Sequence, residues 1–245
     1  MREFGLIGRT LGHSASQRYF TAKFERESVA DCTYSLFELP NIDDVRTLLA
    51  GHPDLCGFNV TIPYKREIIP YLSDMSFDAR NIGAVNCVRR EGERLIGYNT
   101  DVDGVRRSFD ELLGSESPKA LVLGTGGASQ AVQYVLAERG MEYALVSRDG
   151  VRGNMTYGEV SAEVMDEYRL IINATPVGTY PAVDEAPMLP YAFLTPSHYL
   201  FDLVYNPPVT QFLDYGRQRG AHILNGETMF RAQAESAWRI WNGAF

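Results

Sequence analysis

Residues 119–149 read KALVLGTGGASQAVQYVLAERGMEYALVSRD, and their order decides the fold. A short apolar strand runs into a glycine-rich corner, a helix-compatible stretch follows, and YALVS forms a second strand. This is the pattern of the first mononucleotide-binding unit of a doubly wound α/β fold. Gly124 permits the tight turn, and Gly126 and Gly127 let backbone amides approach a pyrophosphate at the helix N-terminus. The setting between strand and helix is the one a dinucleotide fingerprint requires, although a plain strand-to-helix turn uses the same residues. The second strand ends at Arg148, where such a fold holds the adenosine ribose. An acidic residue there reads a free 2′-hydroxyl, whereas arginine accommodates a 2′-phosphate. Arg148 and Arg152 favour NADP, while Asp149 between them would repel a phosphate. Two solvated arginines on a loop are the plain alternative.

Downstream, LIINATPVG (170–178) and HYLFDLVYNP (198–207) read as further parallel strands ending in loops. The segment 226–245 places Met229, Phe230, Ala234, Ala237, Trp238 and Trp241 at helical spacing, which predicts an amphipathic closing helix. Upstream, FGLIG, TYSLFEL, LCGFNVTI and AVNCV alternate with SQRYFTAKFERES and NIDDVRTLLAG, which reads as βα units. A helix over DGVRRSFDELLG leads into SESPK, a polar break at Pro118 that reads as a hinge.

Composition narrows the function classes. The chain has 245 residues, 45% of them apolar, enough for one large or two small α/β domains. Its net charge of −8, with both signs interspersed, offers no broad basic field for nucleic acid or an anionic membrane. Cys32, Cys56 and Cys87 show neither metal-ligand spacing nor a disulfide framework. The N-terminus has no long apolar region and no segment reaches the ~20 apolar residues of a membrane span, so a soluble cytoplasmic protein is expected.

Three upstream motifs carry chemistry. In GFNVTIPYKRE (57–67) an apolar strand meets Pro63, which stops pairing and can seat a first helical turn, with Lys65 on the corner. In GHSAS (12–16), Ser14 and Ser16 can face one acceptor such as a carboxylate, or simply cap a helix. In GYNTDVDG (97–104), Asp101 is either a cap or a carboxylate that positions a proton donor. A lysine and a carboxylate from two loops can share one substrate hydroxyl, and hydride removal from a carbinol requires that its proton also leave.

Together GHSAS, NVTIPYK, IGAVN, GYNTD, GTGGAS, INATPVG, DLVYNP and GETMFRAQ resemble the shikimate dehydrogenase family over nearly the whole chain. The resemblance implies reversible NADP-linked reduction of 3-dehydroshikimate to shikimate, in aromatic amino-acid biosynthesis. It implies Lys65 as general acid/base with Asp101 as its partner. Ser14 and Ser16 would hold the substrate carboxylate, Thr61, Asn86 and Asp101 its hydroxyls, and Tyr205 and Gln233 would close the pocket. Gly124, Thr125, Gly126, Gly127 and Ala128 would hold the pyrophosphate. Arg148 and Arg152 would take the 2′-phosphate, Ser147 would also bind the cofactor, Asn173 and Thr175 would lie beside the dinucleotide, and Leu203 near the nicotinamide. No metal is implied.

The resemblance also implies two α/β domains with a cleft between them. Residues 1–103 plus 225–245 would bind substrate, and 104–224 would form a Rossmann-type, doubly wound NADP domain. Some positions depart from the family. Thr10, Gln17 and Phe20 replace its frequent Pro, Pro and His, Asp149 replaces a small polar residue, and Thr228 replaces a common glycine. The stretch between Arg152 and LIINATP is shorter than the family's usual helix and strand. Asp149 motivates a quinate/shikimate dehydrogenase that also accepts NAD. A non-catalytic sensor of the same ligands is a further alternative, against which the joint presence of Lys65 and Asp101 speaks. Monomer and homodimer are both compatible with the composition.

Overall fold

The computed structural model describes residues 1–12 and 14–244, and the chain divides into two compact units, Met1–Thr100 with Ala234–Phe245 and Asp101–Gln233. The first contains β1 (Arg2–Gly8), α1 (Ala15–Arg26), β2 (Cys32–Glu38), α2 (Val45–Gly51) and β3 (Leu55–Val60). After these come β4 (Asp74–Met75), α3 (Phe77–Ile82), β5 (Cys87–Glu91) and β6 (Arg94–Tyr98). The sheet order is β2-β1-β3-β5-β6-β4. Strands β1, β2 and β3 are parallel, as βα units require, but β5 runs antiparallel to β3 and forms a hairpin with β6. The sequence reading does not predict β6, because Arg94 and Gly97 dilute its apolar alternation.

Side chains of β1 alternate between the sheet faces. Phe4 and Leu6 join Phe20 and Phe24 of α1 together with Ala234, Ala237 and Trp241. Ile7 joins Val45, Phe58, Val60 and Tyr64 in the second cluster. Trp241 stacks on Phe4 with ring centroids 4.9 Å apart and donates its indole N–H to the Val88 carbonyl at 3.0 Å. A Cβ on Gly57 would lie 2.3 Å from Trp241 Cδ1, so only glycine lets the indole lie against the strand.

The expected helix after Pro63 does not form. Its continuation would need the Lys65 carbonyl to accept from Ile69, but that carbonyl accepts from Val85 N–H at 2.7 Å and Ile69 N–H goes to Arg66. Burial of Tyr64 and Ile68 pins the segment as a run of turns ending in a 3-10 turn, Ile69–Tyr71.

The second unit contains α4 (Asp101–Leu113), β7 (Ala120–Leu123), α5 (Gly127–Glu138), β8 (Tyr143–Ser147), β9 (Met155–Thr156) and α6 (Ala162–Glu167). It continues with β10 (Leu170–Asn173), β11 (Tyr199–Asp202), α7 (Gln211–Gln218), β12 (His222–Leu224) and α8 (Glu227–Trp241), within which the division between units falls. Its sheet, β12-β11-β10-β7-β8-β9, is parallel throughout. The chain moves outward from β7 to β9 and then returns to β10 on the other side of β7, so the strand order reverses between β7 and β10.

The SESPK break lies inside this unit and is not a boundary. Arg106 and Arg139 pair with Glu138 and Asp110, both at 2.6 Å, joining α4 to the end of α5, and Phe109 meets Phe201 edge-on. The shortened stretch after Arg152 leaves room only for β9, one 3-10 turn and the six-residue α6. Among the described residues, no helix is long and apolar enough to cross a membrane.

Candidate functional site

The reversal between β7 and β10 is where an open parallel sheet leaves a crevice outside its strand ends. Strand β7 stops at Leu123, and Gly124 turns the chain at φ +95, a left-handed conformation that suits glycine. Its missing Cβ would also sit 2.8 Å from Thr175 Cγ2 in the loop after β10. Helix α5 then starts with Gly126 as its N-cap and no side-chain cap bond. A Cβ on Gly126 or Gly127 would meet nothing within 4 Å. The helix start therefore presents backbone to open space, which suits an anion. A cavity of about 970 Å³ opens there, lined by Gly124, Thr125, Ser147, Arg148, Tyr157 and Thr175 among others. Glycine cradle, arginine and cavity fit a phosphorylated dinucleotide.

Of the expected cofactor residues, Gly124, Thr125, Gly126, Ser147, Arg148 and Thr175 line this cavity. Among the described residues Gly127, Ala128, Arg152, Asn173 and Leu203 do not line it. Asn173 is instead a buried brace. Its carbonyl oxygen Oδ1 accepts from Thr175 N–H at 3.1 Å and from the Thr175 hydroxyl at 2.6 Å, while its Nδ2 donates to Asp202 Oδ1 at 3.0 Å. Leu203 N–H donates to the Asn173 carbonyl at 3.0 Å.

The sequence does not single out Asp202, although it opens the DLVYNP motif. Its carboxylate also accepts from Val204 N–H at 3.0 Å and from the Thr210 hydroxyl at 2.5 Å. Burial pushes this carboxyl up to about 6, against the opposing pull of the Thr210, Val204 and Asn173 hydrogen bonds. Also missed are Tyr157 and the stretch from Glu185 to Met188, which wall the cavity. They come from irregular segments whose local sequence carries no periodic signal.

Asp149 is turned into its own loop. Oδ1 accepts from Val151 N–H at 3.1 Å and from the Ser147 hydroxyl at 3.3 Å. The Val151 N–H, the Ser147 hydroxyl and the Arg152 charge hold this carboxyl below its usual range.

In the first unit the expected substrate residues gather beyond the ends of β1 and β3. Ser14 caps α1, accepting from Ser16 N–H at 3.2 Å, so the cap reading holds, and its hydroxyl proton can still be donated to an acceptor. Ser16 hydrogen-bonds with Tyr34, whose hydroxyl donates to Asn59 Oδ1 at 2.9 Å; burial pushes that phenol well up. Asn59 Nδ2 donates to the Asn86 carbonyl at 3.2 Å, and Asn86 Oδ1 accepts from Thr100 N–H at 2.7 Å. Thr61 N–H donates to the Ile7 carbonyl at 2.9 Å, which ties it to the end of β1. A polar chain thus links Ser16, Asn86 and the Thr100 end of GYNTD. Lys65 is half-buried, next to buried Tyr64.

In the second unit, Asp101 is the buried first residue of α4. Tyr205 stacks on Phe230 with centroids 5.1 Å apart, and Gln233 follows Phe230 by one helical turn on α8. Thr228 donates its hydroxyl to Glu111 at 2.9 Å.

Residues 6–88 match the shikimate dehydrogenase substrate binding domain. The shikimate dehydrogenase (NADP(+)) of Methanocaldococcus jannaschii is 35% identical over 258 residues, covering 98% of this chain and 90% of that protein. The shikimate 5-dehydrogenase of Thermus thermophilus, solved in complex with NADP(H) and shikimate, gives a TM-score of 0.86 at 30% identity over 99% of this chain and 94% of that chain. A quinate dehydrogenase from Corynebacterium glutamicum in complex with NAD gives 0.89 at 26% identity, over 99% and 94%.

Proposed function

Because the chain belongs to the shikimate dehydrogenase family, we propose that it catalyses the reversible NADP-dependent reduction of 3-dehydroshikimate to shikimate, in the shikimate pathway of aromatic amino-acid biosynthesis. The observation that carries this reading is the glycine-floored cavity with Arg148 in its wall. The first unit acts as the substrate-binding domain and the second as the NADP-binding domain.

Bound NADPH supplies a hydride to the ring carbonyl carbon. The chain's own task is to hold the ring and move one proton. Ser14 donates a hydroxyl hydrogen bond to the substrate carboxylate, and Ser16 joins it by turning its single O–H from the Tyr34 oxygen to the ligand, which places no fixed charge beside it. Thr61, Asn86 and Asp101 bond the ring hydroxyls, and Tyr205 and Gln233 are the remaining substrate contacts. As the carbonyl carbon gains the hydride, its oxygen takes a proton from the Lys65 ammonium and becomes the hydroxyl. Neutral Lys65 reclaims that proton in the reverse direction, and Asp101 orients the exchange. In the second unit, Asn173 and Thr175 support the dinucleotide beside Leu203.

A cytoplasmic location, as monomer or homodimer with a small-molecule substrate, accompanies this reading. The test mixes purified protein with shikimate and NADP or NAD at mildly alkaline pH and follows absorbance of the reduced nicotinamide. Rapid NADP reduction is expected. The likeness to a quinate dehydrogenase that binds NAD gives a second reading. Quinate turnover with preferential NAD reduction would replace the first reading with that one, and binding of shikimate without turnover would indicate a sensor.

A further inference from the structure

An acidic residue just past the second strand of a dinucleotide fold reads the ribose diol only if its carboxylate faces the ligand. Arg148 lines the cavity here and Asp149 does not. The Asp149 oxygen that accepts from Val151 N–H, two residues on, makes an Asx turn at the tip of the loop. The same oxygen accepts from the hydroxyl of Ser147, the last residue of β8 and itself part of the cavity lining. At the neck, Asn154 N–H donates to the Leu145 carbonyl at 2.9 Å and Asn154 Oδ1 accepts from Leu145 N–H at 3.0 Å. The loop from Arg148 to Gly153 is thus fastened to β8 at both ends.

We propose that Asp149 is a positioning residue for 2′-phosphate recognition: its carboxylate fastens the loop that holds Arg148 at the cavity wall, and it reads no ribose hydroxyl. This rests on the NADP reading above. The charge of Asp149 opposes a bound phosphate only weakly, because the carboxylate is exposed to solvent and neighboured by the Arg152 cation. Its hydrogen bonds lower the ordering cost of presenting Arg148.

Asparagine at 149 keeps the acceptor oxygen and removes the charge, and alanine removes both. Titration calorimetry of the full-length protein with NADP, NAD and adenosine 2′,5′-bisphosphate separates the roles, with thermal melting to verify folding. Asp149→Ala should weaken NADP and the bisphosphate about tenfold while NAD stays within about twofold. Asp149→Asn should bind NADP as well as the wild type, or up to about threefold tighter. The proposal is overturned if Asp149→Ala binds NADP undiminished, or if either variant loses NAD as strongly as NADP. A wild-type protein that binds neither dinucleotide, or binds NAD alone, would instead sink the NADP reading and this inference with it. A wild type that prefers NADP beside an unaffected Asp149→Ala would sink the inference alone.

Discussion

Lys65 stands on backbone fixed from two sides, by its carbonyl's bond to Val85 N–H and by Tyr64, whose hydroxyl donates to the Leu39 carbonyl at 2.6 Å. Its Cα is therefore held independently of the ammonium group. Lys65→Met should keep the melting temperature and bind shikimate within a few-fold of the wild type. Its kcat should fall by about 10²–10⁴ in steady-state assays, the usual scale of a lost acid/base; unchanged turnover would remove the assigned role. Asp202 makes a different prediction. Its carboxyl is raised from 3.8 to about 6, so folding favours the protonated form. That contribution is complete below about pH 4 and is lost as pH rises through about 6. Asp202→Asn keeps the shape without the buried charge. Its stability relative to the wild type should rise across this window, by up to about 3 kcal/mol at pH 8. Urea denaturation at pH 4.5, 6 and 8 checks this, and a pH-independent difference would count against burial as the cause.

The contact of β3 with α8 depends on Gly57 facing Trp241. Gly57→Ala should cost about 1–3 kcal/mol through overpacking, and Trp241→Ala about 3–5 kcal/mol through the cavity it leaves. In the double variant the new methyl enters space the indole vacated, so the two losses should not add; additivity in denaturant melts would show that the surfaces do not meet there. The GTGGAS corner and the apolar stripe of α8 were legible because their signals are local, a turn chemistry and a helical period. The failed helix after Pro63 was not, because the group that decides it, Val85 N–H, lies in a distant segment. Tyr157 at the cavity wall and the inward turn of the Asp149 carboxylate likewise depend on folded loops. Ser14 was legible as a cap, whereas the link from Ser16 through Tyr34 to Asn59 needed the sheet to assemble.

The two units differ in how the chain builds them. The second is continuous, and its cluster around Leu121, Val146, Ile171 and Phe212 draws on its own residues. The first is interrupted, and Ala234, Ala237, Ile240 and Trp241 complete the cluster that contains Phe4 and Phe20. A fragment of residues 101–233 should therefore melt cooperatively, whereas residues 1–100 alone should bind a hydrophobic dye and melt without a sharp transition, as a core with missing parts does. A sharp transition for the shorter fragment, followed by near-ultraviolet circular dichroism, would make the helix segment dispensable. The interruption also sets a clock during synthesis. Once Thr100 has left the ribosome, Phe4, Phe20 and Tyr34 wait for Trp241 while the intervening unit is translated, a delay on the order of ten seconds. Through that interval the nascent chain carries an uncovered aromatic face, and that face is the natural point of capture for a chaperone or of mispairing with a neighbouring nascent chain.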